Sequence, residues 1–428
     1  MNILHINTFA GGGGAANAMW TLHCGIMRRG VNSRILVDAK AVTDENIFLI
    51  SEATKDKIRL SEKVIEHSCR ALNRVTGLAY WFYPSTFALA DTDIFRWADI
   101  VHFHNLHGGY FNPKAIPLIS RKKTVVWTLH DMWAFTGHCA YAYGCRKWLS
   151  GCGGCPVFKD PAIRNEPLRA TIIDLTALIW KTRRRIYAGS SMHIVTPSKW
   201  LSFLAKESIL SGQNPIETIP NGVDLSVFCP SDSLAARSRL GIGRDERVLL
   251  FISEDLRQYR KGWQYLVSAI ERLGKYSNIC LLLVGAGAFT ISKIRGVRVK
   301  EIGYARSQEL MHICYNAADL LVLPTLSDNL PLTIIEAMAC GLPAVAFEAG
   351  GIPELIRHMD NGFIAEYKSS ASLAEGIQLL LDDGELLLKM KQRCRELSRR
   401  EYDMDLECAR YLELYNRLMG AAAQRRVP

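Results

Sequence analysis

Short apolar runs alternate with longer amphipathic stretches of helical periodicity along the whole chain. Apolar runs without a polar face are typical of strands buried on both sides, and helices between them imply a parallel sheet with crossover connections. The predicted strands are Ile3–Ile6, Ser33–Val37, Ile100–Phe103, Thr124–Thr128, His193–Val195, Val248–Ile252, Cys280–Val284, Leu320–Leu323 and Ala344–Phe347. The hydrophobic pattern therefore predicts an α/β protein.

A stretch rich in turn residues, Ile219–Pro230, divides this pattern near the middle of the chain. A chain of 428 residues is also too long for one ordinary hydrophobic core. We therefore predict a first α/β domain at 1–228, with a cysteine-rich insert at 138–156, and a second at 229–400. The last helical stretch, in 401–428, is expected to cross back to the first domain.

The composition, 49% hydrophobic and 22% charged, is typical of a soluble globular protein. No apolar run approaches the ~18 residues that a membrane span needs. The first residues, Met1–Asn7, carry no basic leader and predict a strand rather than a signal peptide. These features predict a cytoplasmic protein.

Positive charge is concentrated in residues 1–228, which hold 26 Lys and Arg against 17 Asp and Glu, while the chain as a whole has net charge +10. A basic half favours an anionic partner such as lipid headgroups, a lipid-linked diphosphate or nucleic acid. Each single cluster, such as Lys181–Arg185, is explained more simply as a solvated helix face. The asymmetry therefore predicts peripheral contact with a membrane. Without interleaved aromatic and basic residues, nucleic acid is not an expected partner.

Two acidic residues follow the predicted strand Leu320–Leu323. Asp328 lies in a polar loop, and Glu336 lies in a predicted helix that ends at Gly341. Ligands of open α/β sheets bind where strands end and helices begin. Acceptor-only carboxylates beside helix amides suit a ligand that is rich in hydroxyl groups at one end and anionic at the other. A nucleotide sugar has both properties.

Two loops carry candidate phosphate-binding groups. The first predicted strand leads into Gly11–Gly14, which fits the dinucleotide fingerprint Gly11-x-Gly13-x-x-Ala16, with Asp38 after the next strand. An NAD(P)-dependent dehydrogenase or nucleotide-sugar epimerase is therefore the alternative function. In the second half, Arg257–Gly262 follows a strand, where its cations form either a diphosphate clamp or an exposed basic turn.

Four of the twelve cysteines are crowded into one segment, at Cys139, Cys145, Cys152 and Cys155. In a cytosolic protein such clustering favours a metal, here structural zinc, over disulfides or free thiols. The histidines of Val101–Gly108 are expected to be hydrogen-bonded structural groups or, for His104 with Asn105, part of an acceptor pocket. Asp91-Thr-Asp93 precedes a helix and predicts an N-terminal cap rather than a metal site.

Together these features resemble glycosyltransferase family 4, whose GT-B architecture has two Rossmann-like domains with parallel sheets facing a central cleft. The resemblance rests on the glycine loop, Lys261-Gly262, Asn221–Asp224, Asp328-x7-Glu336 and Glu336–Pro343. More narrowly, Thr128–Cys139 and the cysteines after it resemble transferases of capsule, exopolysaccharide and colanic-acid gene clusters. The resemblance implies retaining transfer of a sugar from a UDP- or GDP-sugar to a lipid-linked saccharide in bacterial surface polysaccharide biosynthesis.

The resemblance also implies roles for individual residues. The implied catalytic residues are His130 and Asp328. The residues implied to bind the donor are Gly13, Gly14, Arg257, Lys261, Asn329, Leu330 and Glu336. The residues implied on the acceptor side are His104, Asn105 and Asp131. The family uses cations and helix amides to balance the diphosphate charge, so no catalytic metal is expected.

Three departures from the family pattern concern the donor. The first acid is Asp328 rather than Glu, and Asp328–Pro331 replaces Glu-Gly-Phe-Gly, so Pro331 offers no amide. Ser253–Asp255 stands where the family has an arginine. Arg257 or Arg260 would replace that arginine, and Arg257 is the preferred candidate.

Overall fold

The computed structural model describes residues 1–59, 61–62, 66, 68, 83–156, 173–212, 214–274, 276, 278–287, 297–305 and 307–424. The chain forms two compact units, Met1–Pro220 with Glu407–Pro428, and Asn221–Leu406. The first boundary lies before the predicted one at 228 because Val223 pairs with Asp403 at the end of the second unit. The backbone N–H of Val223 also donates to the carbonyl of Tyr402 over 2.9 Å.

The first unit contains a parallel sheet flanked by helices. Its strands are β1 (Asn2–Ala10), β2 (Asn32–Lys40), β3 (Ile47–Leu49), β4 (Ile100–Phe103), β5 (Thr124–Thr128), β6 (His193–Thr196) and β7 (Ile216–Thr218). Its helices are α1 (Gly14–Arg28), α2 (Ile50–Ala53), α3 (Ser85–Ala88), α4 (Asp93–Trp97), α5 (Ile116–Lys122), α6 (Thr176–Ala188) and α7 (Lys199–Lys206). The spatial order is β3-β2-β1-β4-β5-β6-β7.

The second unit repeats this plan. Its strands are β8 (Arg247–Asp255), β9 (Ile279–Ala286), β10 (Val297–Gly303), β11 (Leu320–Leu323), β12 (Ala344–Phe347) and β13 (Gly362–Ala365). Its helices are α8 (Ser233–Leu240), α9 (Trp263–Arg272), α10 (Gln308–Ala317), α11 (Leu332–Ala339), α12 (Ile352–Leu355), α13 (Ser370–Asp382) and α14 (Gly384–Glu401). The order is β10-β9-β8-β11-β12-β13, and every pair in both sheets is parallel.

The strand order gives each sheet a topological switch point. In each unit the chain builds outwards from a first strand, then returns to the other side of that strand and builds in the opposite direction. The reversal lies between β1 and β4 in the first unit and between β8 and β11 in the second. Loops at the carboxyl ends of two such strands diverge and leave a crevice, which is where open α/β sheets bind ligands. All nine predicted strands and the parallel arrangement are confirmed.

The last helix, α15 (Met404–Gln424), begins in the second unit and continues into the first. Tyr411 and Tyr415 of α15 are buried in the first unit, where their hydroxyl groups bond Thr128 and His102 over 2.7 Å each. The predicted C-terminal helix therefore contributes to the first unit's core. Within the described ranges, no helix combines the length and apolar character needed to cross a bilayer.

Candidate active site

Two loops meet at the switch point of the second unit, one after β8 and one after β11. The N–H of Leu326 donates to the carbonyl of Arg260 over 2.7 Å, and the Arg260 guanidinium donates to the carbonyl of Ser327 over 2.9 Å. Gly262, at φ +73°, permits this contact because a Cβ there would lie 1.8 Å from the carbonyl oxygen of Pro324. The two loops are therefore held as one rigid surface.

A buried ion cluster lies on this surface. Lys261 Nζ is 2.8 Å and Arg260 Nη1 is 3.0 Å from the same oxygen, Oδ2 of Asp328. Burial alone would raise the pKa of Asp328, but the two cations hold it below its ordinary value. Asp328 is therefore ionised at neutral pH. The three side chains carry a net charge of +1, and such a cluster is suited to binding an anion.

The position of the two candidate arginines differs from the sequence-based preference. Arg257 has a side chain that is 65% exposed and pairs with Asp255 over 2.8 Å. Arg260 has a side chain that is only 12% exposed and shares Asp328 with Lys261. The structure thus brings Arg260, rather than Arg257, together with Lys261.

Glu336 lies in α11, the helix that follows the Asp328 loop. The hydroxyl of Tyr315, from α10, donates to its Oε2 over 2.6 Å. Burial raises the pKa of Glu336 to about 7, although the Tyr315 hydrogen bond acts to lower it. The carboxylate therefore gains stabilisation from any ligand that donates hydrogen bonds to it. Pro331 is the N-cap of α11, so the residue directly before the first helical residue, Leu332, has no N–H.

The residues between the two acids are also enclosed. Asn329 and Leu330 are buried, with 4% and 6% of their surfaces exposed. The N–H of Gly351, after β12, donates to the carbonyl of Asp328 over 3.2 Å. The predicted donor residues Asp328, Asn329 and Leu330 thus lie in the loop after β11, where Asp328 contacts Lys261, and Glu336 follows them in α11.

In the first unit the glycine loop follows β1. Gly11, Gly12 and Gly13 have φ values of 87°, 81° and 82°, a conformation that residues with side chains rarely adopt. Gly13 is the N-cap of α1, and Gly14 begins that helix. The first-turn amides of a helix lack intrahelical acceptors and favour an anion. The loop therefore has the backbone of an anion-binding turn at the β1–β4 switch point.

His130, His104 and Asp131 lie together after β4 and β5. His104 Nδ1 and His130 Nε2 are 3.0 Å apart, and the two rings are stacked at 18°. Asp131 Oδ2 is 2.9 Å from His107 Nε2. Burial would raise the pKa of Asp131, but His107 holds it below its ordinary value. Burial lowers the pKa of His130 to about 4, so its imidazole is neutral at pH 7.

Asn105 is fixed through its backbone next to this group. Its N–H donates to Oδ1 of Asn7 over 2.9 Å, and its carbonyl accepts from the Tyr110 hydroxyl over 2.8 Å. Thr8, on the loop side of β1, donates to the carbonyl of His107 over 2.6 Å. The β1 and β4 loops are therefore joined, and the predicted acceptor-side residues form one cluster.

Sequence reasoning missed two partners of the site. Tyr315 contacts Glu336 from another helix, and His5 on β1 bonds His104, with Nδ1 and Nε2 3.0 Å apart. Neither contact has a local sequence signal, because each depends on the order of elements in the sheet. The one sequence feature that relates His5 to the site is its position on β1, the strand that leads into the glycine loop.

The comparisons with known proteins agree with this geometry. Residues 12–227 match the model described as "Glycosyltransferase Family 4", and residues 246–383 match "Glycosyl transferases group 1". The putative colanic acid biosynthesis glycosyl transferase WcaC of Escherichia coli is 25% identical over 390 residues, covering 86% of this chain and 88% of WcaC. The N-acetyl-alpha-D-glucosaminyl L-malate synthase of Bacillus anthracis is 28% identical, over 47% of this chain and 53% of its own length.

Solved structures share the fold. The sucrose-phosphate synthase of Thermosynechococcus elongatus has a TM-score of 0.69 and 17% identity, covering 98% of this chain and 99% of that one. HepE of Anabaena, solved with UDP and glucose, has a TM-score of 0.64 and 18% identity, covering 97% and 99%. These similarities establish the GT-B fold. The dehydrogenase or epimerase alternative receives no support from these relatives.

Proposed function

Because the chain belongs to glycosyltransferase family 4, we propose that it transfers a sugar from a nucleotide-sugar donor to a lipid-linked saccharide, with retention of anomeric configuration. The observation that carries this proposal is the buried cluster of Lys261, Arg260 and Asp328, which lies at the β8–β11 switch point ahead of Glu336. Such a site combines positive charge with acceptor carboxylates, as a nucleotide sugar requires.

In the proposed donor site, Lys261 and Arg260 bind the diphosphate. Lys261 acts as a point charge and Arg260 as a planar fork, and both are held in place by Asp328 before the donor arrives. As the bond to the sugar breaks, negative charge grows on the leaving phosphate. Fixed cations stabilise that charge without reorganisation. In this proposal the two cations replace a catalytic metal.

Glu336 is proposed to accept hydrogen bonds from the two ribose hydroxyl groups. The Tyr315 hydroxyl fixes one of its oxygens, which leaves the other oxygen and remaining lone pairs for the ligand. Asp328 is proposed to contact the donor sugar. A front-face mechanism suits this arrangement, because the leaving phosphate itself assists deprotonation of the acceptor hydroxyl and gives retention.

The first unit is proposed to bind the acceptor. His130, Asn105 and Asp131 provide hydrogen-bonding groups for sugar hydroxyls, and His104 holds the neutral imidazole of His130 through the hydrogen bond between their rings. The similarity of WcaC over 86% of this chain supports an acceptor in bacterial surface polysaccharide biosynthesis. The structures of HepE with UDP and with UDP-glucose support a uridine donor.

A lipid-linked acceptor implies docking at a membrane, and α6 offers a suitable face. Leu178 is 55% exposed, and Lys181, Arg184 and Arg185 are exposed near it on the same helix. Arg183 of the same run is fully buried and belongs to the core. We propose that this mixed apolar and basic face rests on anionic lipid at the cytoplasmic side of the inner membrane.

Replacing Lys181, Arg184 and Arg185 by glutamine is expected to weaken binding to anionic vesicles on the order of 100-fold, since each cation near such a surface contributes about 1 kcal/mol. Co-sedimentation with phosphatidylglycerol vesicles measures this loss. The matched control replaces three exposed cations of the second unit, Arg244, Arg272 and Lys389, by glutamine. Equal losses in both variants, or binding to neutral phosphatidylcholine alone, would contradict the assignment.

The proposed reaction is tested by incubating the protein with α-linked UDP- and GDP-sugars and a lipid-linked saccharide extract. We expect release of one nucleoside diphosphate together with a product that is heavier by one sugar. Proton NMR of the anomeric signal should show an α linkage. A β linkage would refute retention, and the absence of transfer from all sugar nucleotides would refute the proposed function.

A further inference from the structure

The four clustered cysteines form a group in the first unit that the proposed reaction does not use. All four are free thiols in the structure. The side chains of Cys139 and Cys155 are hydrogen-bonded to each other and Cys145 and Cys152 lie near them, although no three of the four sulfur atoms are within 4.8 Å of one another. The fold therefore gathers cysteines from both ends of a 17-residue segment, 139–155.

The backbone of this segment is shaped around the sulfur atoms. Cys152 has φ 55° and lies between Gly151 and Gly153, both of which also have positive φ. The N–H of Gly137 donates to Cys152 Sγ over 3.2 Å. The N–H of Cys155 donates to Asp174 over 2.7 Å, which anchors the segment next to α6.

Two cations adjoin the cysteines. Lys147 Nζ lies 2.9 Å from the carbonyl oxygens of both Gly153 and Gly154, within the Cys-x-x-Cys turn. The buried Arg183 is close enough to Cys152 to act on its charge. Four thiolates around a divalent ion carry a net charge of −2, and these two cations offset it. Cys145 and Cys152 also pack against the apolar core of the unit, and the two cations supply the compensating charge that a four-thiolate metal centre would need beside it.

We propose that Cys139, Cys145, Cys152 and Cys155 bind one structural zinc ion. Four sulfur ligands complete a tetrahedral shell and leave no open position for substrate. In such a shell the sulfur atoms are about 3.8 Å apart, as follows from a zinc–sulfur distance of about 2.3 Å. Binding draws the thiols into this shell, and the glycines beside Cys152 allow the turn to close.

The histidine group of the same unit is a weaker metal candidate. Among the described residues, the set of three ligand atoms within 4.8 Å of one another belongs to His5, His102 and His104. Both ring nitrogens of His102 already bond hydroxyl groups, those of Thr128 and Tyr415, over 2.7 Å. Both ring nitrogens of His104 bond other histidines. A metal would have to displace these bonds.

The zinc proposal is tested by elemental analysis of untagged full-length protein purified without added metal. We expect about one zinc ion per chain that survives dialysis, as four-thiolate sites retain their metal. The variant with Cys152→Ser and Cys155→Ser should lose it, whereas the control Cys229→Ser, a partly buried cysteine of the second unit, should keep it. Absence of zinc from the wild type, or full zinc in the double variant, would overturn the proposal.

A second measurement covers the case in which the double variant does not fold. Titration of wild-type protein with a mercurial reagent, in the presence of a chromogenic zinc indicator, should release the zinc in step with modification of the clustered thiols. Release that is complete before these thiols react, or no release after they react, would also overturn the proposal.

A second inference concerns the buried histidine chain beneath His130 and rests on the proposed function. His5 Nδ1 meets His104 Nε2, and His104 Nδ1 meets His130 Nε2, each over 3.0 Å. In a neutral chain of this kind, one tautomer determines the next. His5 Nε2 is buried and has no hydrogen-bond partner among the described residues. A bare lone pair is less costly there than an unsatisfied N–H.

The geometry points to His5 and His104 as positioning residues that keep the proton of His130 on Nδ1. With Nε2 of His5 bare, its Nδ1–H donates to His104, and the Nδ1–H of His104 donates to His130. His130 Nε2 is then an acceptor, and the proton of His130 lies on Nδ1. His5 and His104 act through His130 and do not themselves touch the ligand in this arrangement.

This inference is tested by ¹⁵N NMR of histidine-labelled protein, which reads the tautomer without any need for activity. Wild-type His130 should carry its proton on Nδ1, and His104→Phe should abolish that preference and lower kcat on the order of 10-fold at unchanged donor KM. His104→Asn, whose amide can replace Nδ1–H, should restore both. The control is His23→Phe. It removes a buried histidine that is hydrogen-bonded to Ser33 and is not part of the series His5, His104 and His130. A proton on Nε2 of wild-type His130 would refute the inference even if transfer is observed.

Discussion

Replacing Glu336 by glutamine should lower kcat/KM for the nucleotide-sugar donor on the order of 100-fold or more, because hydrogen bonds to a charged acceptor contribute about 1.5–3 kcal/mol each and two ribose hydroxyls are involved. Glutamine keeps the size of the side chain and an oxygen that accepts from Tyr315. The loss should therefore appear in donor binding and transfer and not in folding. Steady-state kinetics across donor concentrations measure it, with Glu309→Gln, on the exposed face of α10, as the control.

The same substitution, Glu336→Gln, should lower activity but should not lower stability at alkaline pH. Because burial raises the pKa of Glu336 to about 7, the folded state holds this proton more tightly than the unfolded state. The contribution of Glu336 is therefore fully present below its unfolded pKa, about 4.5, and is lost as pH rises through about 7. At pH 8 the Gln variant should melt at or above the wild-type temperature. A large drop in melting temperature at pH 8 would show that Glu336 is structural and would contradict the donor assignment.

Replacing Asp328 by asparagine should reduce both stability and activity. Two cations, on Lys261 and Arg260, share one buried carboxylate oxygen, and removal of one partner from a buried ion pair costs about 3–5 kcal/mol. The released cations should also lose their fixed positions, so transfer should fall by at least about 100-fold. Urea unfolding and donor kinetics on the same preparation measure the two effects.

The second unit contains a matched control for Asp328. Asp319, directly before β11 in the sequence, is partly buried and pairs with the buried Arg237, whose Nη2 lies 2.9 Å from both carboxylate oxygens. Asp319→Asn should cost comparable stability and leave kcat/KM nearly unchanged in the folded protein. If both variants lose activity equally, the effect of Asp328 is only structural and the ion cluster has no specific role in donor binding.

The core strands were predictable from sequence because burial on both faces leaves a continuous apolar run, as in Leu320–Leu323. Within the described residues, the four missed strands, β3, β7, β10 and β13, are the edge strands of the two sheets. β13 (Gly362–Ala365) is a short buried apolar run that the sequence analysis did not assign, whereas the other three lack this signal. β10 alternates between charged and apolar positions at the edge of its sheet, and β3 and β7 have three residues each. Their strand conformation depends on pairing with a neighbour already in place. The edge strands of each sheet therefore depend on tertiary contacts, whereas the central strands can be predicted from their apolar sequence pattern.

The residues of the candidate site that belong to recognisable motifs following predicted strands could be predicted from the sequence. Lys261, Asp328 and Glu336 belong to such motifs, and the strand order brings the first two into contact. The choice between Arg257 and Arg260 was not predictable in the same way. The side chain of Arg257 is exposed, whereas that of Arg260 is enclosed at the place where Gly262 packs against the carbonyl of Pro324. That contact joins two loops more than 60 residues apart and leaves no local pattern.

The measurement that tests the central claim most directly is a thermal-shift panel of UDP, GDP, ADP and their sugar conjugates, with NAD and NADP alongside, on wild type and Glu336→Gln. A ligand at about 100 times its Kd contributes about 2.7 kcal/mol, which corresponds to a rise of about 5 °C or more in Tm. We predict such a rise for one nucleoside diphosphate series in the wild type and its near-complete loss in the variant. A rise with NAD or NADP alone, or one that Glu336→Gln leaves intact, would contradict the account.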